Sequence, residues 1–146
     1  MTDVTNNAPT LLTTWKAAQA KLKTGRIDSP SIDARLLVEA ATGATRVDIL
    51  TDPYRLVTPE QQSRLDAYVE RRLRREPVSR ILGRKGFWKI MLNVTPDVLS
   101  PRPDTETLID VAVLAHPKNE TFTVADLGTG SGAILLAVLS ERPGAT

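Results

Sequence analysis

The sequence predicts a mixed α/β chain: a small N-terminal helical bundle, a β-hairpin connector, then the first β-α unit of a Rossmann-like domain. Three observations carry this. Apolar residues recur at helical spacing from Thr10 to about Leu82. A short run rich in β-formers, Phe87-Trp88-Lys89-Ile90-Met91-Leu92-Asn93-Val94, follows Gly83 and Gly86. Near the end, Val124-Ala125-Asp126-Leu127-Gly128-Thr129-Gly130-Ser131-Gly132-Ala133-Ile134 reads as a buried strand, a glycine-rich turn and a helix starting on the turn.

Residues 1–9 are polar and Asn-rich and are expected to form a disordered tail. Leu11, Leu12, Trp15, Ala18 and Leu22 then mark the first helix, with Gly25 as its stop. Ser29-Pro30-Ser31 starts a second helix, Ser29 being its expected N-cap, with Ile32, Leu36, Leu37 and Ala40 on one face and Gly43 at its end. Val47-Asp48-Ile49-Leu50 is a short apolar segment before a turn at Asp52-Pro53. Thr58-Pro59-Glu60-Gln61 is a capping-box start for a helix carrying Leu65, Tyr68, Val69 and Leu73, and Pro77 closes it. A further short helix covers Val78 to Leu82. Each helix is marginal alone, so together they are expected to pack as a bundle over residues 10–83. The hairpin connector is assigned to residues 84–101. Pro101 and Pro103 bracket Arg102, which excludes a helix interior or a central strand there; Asp104 or Thr105 then caps a helix through Leu114. Phe122 to Leu127 is the expected strand, and Ala133 to Arg142 the helix after the glycines.

A hydrophobic content of 41% with 25% charged residues is that of a soluble globular protein. No cysteine is present, which excludes disulfides, thiolate chemistry and cysteine-type zinc sites. No metal site is expected. The one histidine, His116, has neither a nucleophile nor an orienting partner nearby in the sequence. The N-terminus lacks the regions of a signal peptide, and no stretch approaches the ~18 to 20 apolar residues that span a bilayer. A cytoplasmic location without membrane attachment follows as the expectation. The basic run Arg71-Arg72-Leu73-Arg74-Arg75 reads as a solvated helix face, with contact to an acidic partner or RNA as the alternative.

The glycine turn carries the chemistry. Glycines at a helix start let backbone N–H groups approach a ligand without an intervening Cβ. Gly128, Gly130 and Ala133 satisfy the dinucleotide pattern, while Gly132 adds the tighter G-x-G-x-G spacing. Asp126, two positions earlier, separates the two. A carboxylate repels a pyrophosphate but attracts a ligand bearing an ammonium and a sulfonium. That favours S-adenosylmethionine over NAD, with a dinucleotide or a merely structural turn as the other readings. No G-K-[ST] follows, so a P-loop is excluded.

With Pro101-Arg102-Pro103-Asp104-Thr105-Glu106 ahead of it, this turn resembles that of the protein-(glutamine-N5) methyltransferases of the PrmC/HemK family. The resemblance runs from about Thr10 to the end and includes Glu76-Pro77-Val78, Leu82-Gly83, Phe87-Trp88 and Asn93–Leu99. Ser100 departs from it, since relatives usually carry an apolar residue there. The resemblance implies a helical substrate-recognition domain and a class I methyltransferase domain starting at residue 102. It implies S-adenosylmethionine at Asp126, Gly128, Thr129, Gly130, Ser131 and Gly132. It places Phe87, Trp88, Arg102, Pro103, Thr105 and Glu106 at the active-site border. The implied reaction is methylation of a glutamine amide in the Gly-Gly-Gln loop of peptide chain release factors. Separately, a monomer is expected, and direct nucleic-acid binding is not, since no DNA-reading element is evident beyond the Arg71–Arg75 cluster.

The family's acceptor motif, Asn-Pro-Pro-Tyr, and the acidic residue that grips the cofactor ribose do not occur among these 146 residues. The catalytic residues are therefore unassigned. The chain is expected to be a truncated form of doubtful activity, with residues 102–146 at best loosely ordered. Two alternatives stand beside it: a non-catalytic release-factor-binding module, and a ribosomal-protein glutamine methyltransferase.

Overall fold

A computed structural model describes residues 8–146, so most of the expected N-terminal tail lies outside the described residues. Pro9 is tied down, its carbonyl accepting from the Val57 amide at 2.8 Å. The chain divides into two compact units, one ending at Ile81 and one running Leu82–Thr146.

The first unit is helical: α1 (Leu11–Thr24), α2 (Pro30–Thr42), α3 (Arg46–Thr51), α4 (Pro59–Leu73) and the start of α5 (Val78–Leu82). Helices α1, α2 and α4 pack on one another around Leu11, Leu22, Leu37, Val38 and Leu65, all fully buried. Thr58 and Gln61 form the expected capping box, with the Thr58 amide donating to Gln61 Oε1 at 2.9 Å and the Gln61 amide to Thr58 Oγ1 at 3.3 Å. Two further boxes cap α1 and α3, Thr10 with Thr13 and Thr45 with Asp48. Ser29 makes no side-chain cap, although Pro30 does open α2. Gly25 ends α1 with an ordinary negative φ of −74°. An added Cβ there would meet the end of the Leu73 side chain.

The basic run is not a free solvated face. Arg71 forks onto the Glu76 carboxylate at 2.8 and 2.5 Å. Arg72 Nε donates to Asp33 Oδ2 at 2.7 Å. Arg75 donates to the carbonyls of Arg26 and Gly25 at 2.7 and 3.2 Å. Three of the run's four arginines thus tie the end of α4 to the elements around it. Helical phase explains the division, since α4 turns Arg72 toward α2 while the chain leaving it carries Arg75 to the α1 terminus.

In the second unit β1 (Arg84–Phe87) and β2 (Ile90–Asn93) pair antiparallel, Arg84 opposite Asn93 and Phe87 opposite Ile90. A 3₁₀ turn at Pro103–Thr105 leads into α6 (Glu106–Ala115), and α7 (Ala133–Glu141) follows the glycine turn. No side chain of Asp104 or Thr105 caps α6. Phe87, Leu92, Ile109, Ala133, Ala137 and Val138 form this unit's core, so residues 102–146 contribute to a packed cluster rather than a loose segment.

The strand expected at Phe122–Leu127 does not form. Phe122 makes a single parallel bridge with Ala145, flanked by Val124 N–H to Thr146 O at 2.9 Å and Thr146 N–H to Phe122 O at 3.0 Å. Beyond these two rungs no ladder partner exists among the described residues, and Leu127, expected to be buried, is 95% exposed. A strand needs a neighbour to pair its backbone and a layer to cover its side chains, and here both run out after Val124. The bridge is nevertheless parallel and α7 lies between its two sides, which is the order of a βαβ crossover.

Candidate functional site

Asp126 to Ala133 is built from three left-handed glycines: Gly128 at φ 76°, Gly130 at 56° and Gly132 at 75°. Such backbone is strained for L side chains. It is not crowded, since a Cβ at Gly128 would meet nothing within 4 Å and one at Gly130 only the Gly128 carbonyl at 3.9 Å. The turn closes through the Gly132 amide on the Thr129 carbonyl at 2.8 Å. Thr129 Oγ1 donates to Asp126 Oδ2 at 3.0 Å, fixing the carboxylate over the loop. No side chain caps α7, so its first N–H groups remain available to an acceptor. An acidic group, a bare glycine backbone and an uncapped helix start therefore coincide beside open space.

The proline segment and the hairpin meet elsewhere in this unit. Trp88 occupies the hairpin turn with φ 53°, an outlier for a bulky residue. Its amide donates to Glu106 Oε1 at 2.8 Å and its indole N–H to Glu141 Oε1 at 2.7 Å. Lys89 Nζ reaches the same Glu141 oxygen at 2.5 Å. Lys85 donates to the Pro101 carbonyl. The hairpin is thereby fastened to the start of α6 and the end of α7.

Of the residues expected to border one site, Trp88 and Glu106 come together. Phe87 is buried in the core. Arg102 is exposed, and among the described residues no hydrogen bond joins Arg102, Pro103 or Thr105 to the glycine turn. The Trp88 indole is bonded to Glu141, at the far end of α7 from Gly132, about 13 Å along a nine-residue helix.

The bonds from Lys89 and then Trp88 hold the Glu141 carboxyl below its ordinary value of 4.5. A lowered folded-state value means these bonds stabilise above the ordinary carboxylate range, and that stabilisation disappears as pH falls through the lowered value. In a Trp15→Phe chain, Trp88 emission is expected to stay constant from pH 7 to about 4.5 and change only below it. Glu141→Gln is expected to remove that change. A transition centred above pH 5 would contradict the clamp.

Two residues that sequence reasoning passed over matter here. Arg142 is only 7% exposed; it donates to the carbonyls of His116 at 2.5 Å, Glu141 at 2.8 Å and Val113. An arginine just after a helix and before Pro143 is the one signal of such a C-terminal cap. Glu141, the anchor of the Trp88 clamp, had no signal at all, because its partner Trp88 lies 53 residues away in sequence. His116 stacks on Phe122 with centroids 4.1 Å apart, and its Nδ1 lies 3.0 Å from Glu120 Oε2, so it has an orienting carboxylate that the sequence reading did not find. Among the described residues no acidic or histidine cluster could hold a metal, and no helix is long and apolar enough to cross a membrane.

The profile of the family described as PrmC N-terminal domain matches residues 13–83. The chain carries a PrmC N-terminal domain. Similarity extends beyond that domain, to proteins named release factor glutamine methyltransferase. The one from Caulobacter vibrioides is 57% identical over 136 residues, covering 93% of this chain and 47% of that protein. The Coxiella burnetii protein is 49% identical over 115 residues, 79% of this chain and 42% of its own length. The Escherichia coli protein is 44% identical over 116 residues, 80% of this chain and 42% of its own. The chain thus spans less than half the length of these relatives. With its PrmC N-terminal domain ending at residue 83, the glycine turn falls in the similar stretch beyond it.

Proposed function

We propose that this chain belongs to an S-adenosylmethionine-dependent enzyme that methylates the glutamine side-chain amide, N5, in the Gly-Gly-Gln loop of peptide chain release factors. The observation that carries the reading is the pairing of Asp126 with three left-handed glycines at the uncapped start of α7. The printed names of the relatives supply the substrate class. The parallel rungs on either side of α7 agree with the opening of a Rossmann-like methyltransferase unit.

S-adenosylmethionine supplies a methyl group made electrophilic by its sulfonium. Gly128, Gly130 and Gly132 keep the backbone bare where that ligand would approach. Asp126, steadied by Thr129, offers a carboxylate to its cationic groups, and the free N–H groups of α7 offer donors to its carboxylate. Ser131 lies in the same turn. The acceptor amide is a poor nucleophile and needs its nitrogen aimed along the line of the departing sulfur. Acceptors on its NH₂ would favour the positive charge that develops before a proton is lost. Such acceptors are not assigned among these 146 residues, which contain no Asn-Pro-Pro-Tyr.

A chimera tests the reading: residues 1–146 joined to the remaining half of the Caulobacter relative, incubated with S-adenosylmethionine and a release factor. Mass spectrometry is expected to find one added methyl on the Gly-Gly-Gln glutamine. Gly130→Val is expected to slow transfer about 100-fold or more, because its φ and the new side chain displace the ligand. A folded chimera that leaves the release factor unmodified would overturn the proposal. Methylation of a ribosomal protein instead would favour the second enzyme reading. The self-contained core of the first unit supports the third, a helical module that binds a release factor without catalysis.

A further inference from the structure

The hairpin turn is built against its own preference. Only Trp88 and Lys89 join β1 to β2, and Trp88 holds φ 53°. Two-residue hairpin turns place glycine, asparagine or aspartate at positive φ. A bulky side chain persists there only where its surroundings over-determine it. Here they do, through Glu106 Oε1 on the Trp88 amide at 2.8 Å and Glu141 Oε1 on the indole N–H at 2.7 Å. A tryptophan at this position therefore costs the turn stability, and it is compensated only by what its indole reaches on α7.

Helix α7 has use for such a fixture. Its buried residues are Ala133, Ala137 and Val138. These seat it against α6 and β2, but small apolar side chains pack without direction and fix its position along its own axis weakly. At its start no side chain caps it, and the bonds from Gly132 to Thr129 and from Thr129 to Asp126 close within the turn itself. The directional bonds that tie α7 to other elements lie at its far end. There Glu141 holds the indole, and Arg142, the next residue, donates to the Val113 and His116 carbonyls. Nine helical residues form a stiff rod of about 13 Å, so a shift at Glu141 is carried to the N–H groups at the start.

We propose that Glu141 and Trp88 are positioning residues for the cofactor site, given the reading above that S-adenosylmethionine binds at the glycine turn. By fixing the end of α7 on the hairpin, they set where the turn and the first N–H groups of the helix stand, without touching the ligand. Trp88 thereby moves from the border of the site to the support behind it.

Two measurements test this. The first uses the chimera of residues 1–146 with the remaining half of the Caulobacter relative. Glu141→Ala and Trp88→Phe are each expected to raise KM for S-adenosylmethionine about tenfold or more, with kcat kept within about threefold. Glu141→Gln retains an acceptor oxygen for the indole and is expected to stay within about threefold of the unaltered enzyme. A merely destabilised enzyme has fewer active molecules, which lowers apparent kcat and leaves KM in place; that result would overturn the proposal. Equal rises in KM from Glu141→Gln and Glu141→Ala would assign the effect to charge and overturn it as well.

The second measurement, amide hydrogen exchange, uses the 146-residue chain without cofactor. Glu141→Ala is expected to speed exchange at Leu136 and Ala137, in the first half of α7, about tenfold, while Glu141→Gln does not and Ile49 in the first unit is unchanged. Unchanged exchange along α7 would overturn the proposal. A folded chimera that methylates nothing would count against the cofactor reading instead, and the exchange result would then decide the clamp.

Discussion

Ile109→Ala is expected to destabilise the second unit by about 2–5 kcal/mol while leaving the first unit's unfolding in place. Ile109 is fully buried in α6, packed among Phe87, Leu92, Ala133, Ala137 and Val138. Three of those neighbours are small or medium residues on α7, which cannot swing in to fill the space, so most of the cavity should persist. The unit has one such cluster and no second layer behind it. For a unit of this size the loss corresponds to a fall in melting temperature of roughly 10 °C or more. The two tryptophans make the result readable, because Trp15 lies in the first unit and Trp88 in the second. Thermal melts of Trp15→Phe and Trp88→Phe chains, each with and without Ile109→Ala, are expected to show the shift only where Trp88 reports. An equal shift at both tryptophans would show that the two units unfold as one.

Arg72→Ala is expected to cost about 2–4 kcal/mol, more than any other loss from the basic run. The Arg72 and Asp33 side chains are only 17% and 11% exposed, so removing the guanidinium leaves a carboxylate largely out of water without its partner. Arg72 also donates to the Glu76 carbonyl at 3.3 Å, and the substitution removes that hydrogen bond too. In an Asp33→Ala background the same substitution is expected to cost about 1 kcal/mol or less, since no charge is then stranded. Chemical denaturation of the four chains gives the coupling. Additive losses would mean that the pair is a solvated surface interaction after all. Arg74→Ala, for which no hydrogen bond to another element is seen, should change stability by about 0.5 kcal/mol or less.

Capping is the most local of the devices here, and sequence reads it well where the pattern is the common one. Thr58 with Gln61 was legible for that reason. Thr45 with Asp48 and Thr10 with Thr13 achieve the same reciprocal bonds with shorter side chains at the third helical position, outside the usual Glu or Gln signature. Without that signature, α3 shows in the sequence only as a short apolar segment. The arginines of α4 were visible as a cluster, but their partners at Asp33 and at the Arg26 carbonyl lie 39 and 49 residues away. Trp88 was visible as a hairpin residue; its anchoring on Glu106 and Glu141 was not.

By itself, then, the sequence determined every helix but α3, the hairpin, the kinship carried by the glycine and proline motifs, and the glycine turn before α7. These depend on interactions a few residues apart, whose cost and gain are set within one turn of chain. Tertiary structure alone decided that Phe122–Leu127 keeps only two parallel rungs, that Arg72 and Arg142 serve packing rather than solvent, and that Trp88 sits at the end of α7 away from Gly132. Each of those outcomes turns on which backbone groups and charges find partners far along the chain, and an unpaired strand or a buried ion has no stability that its own neighbourhood can supply.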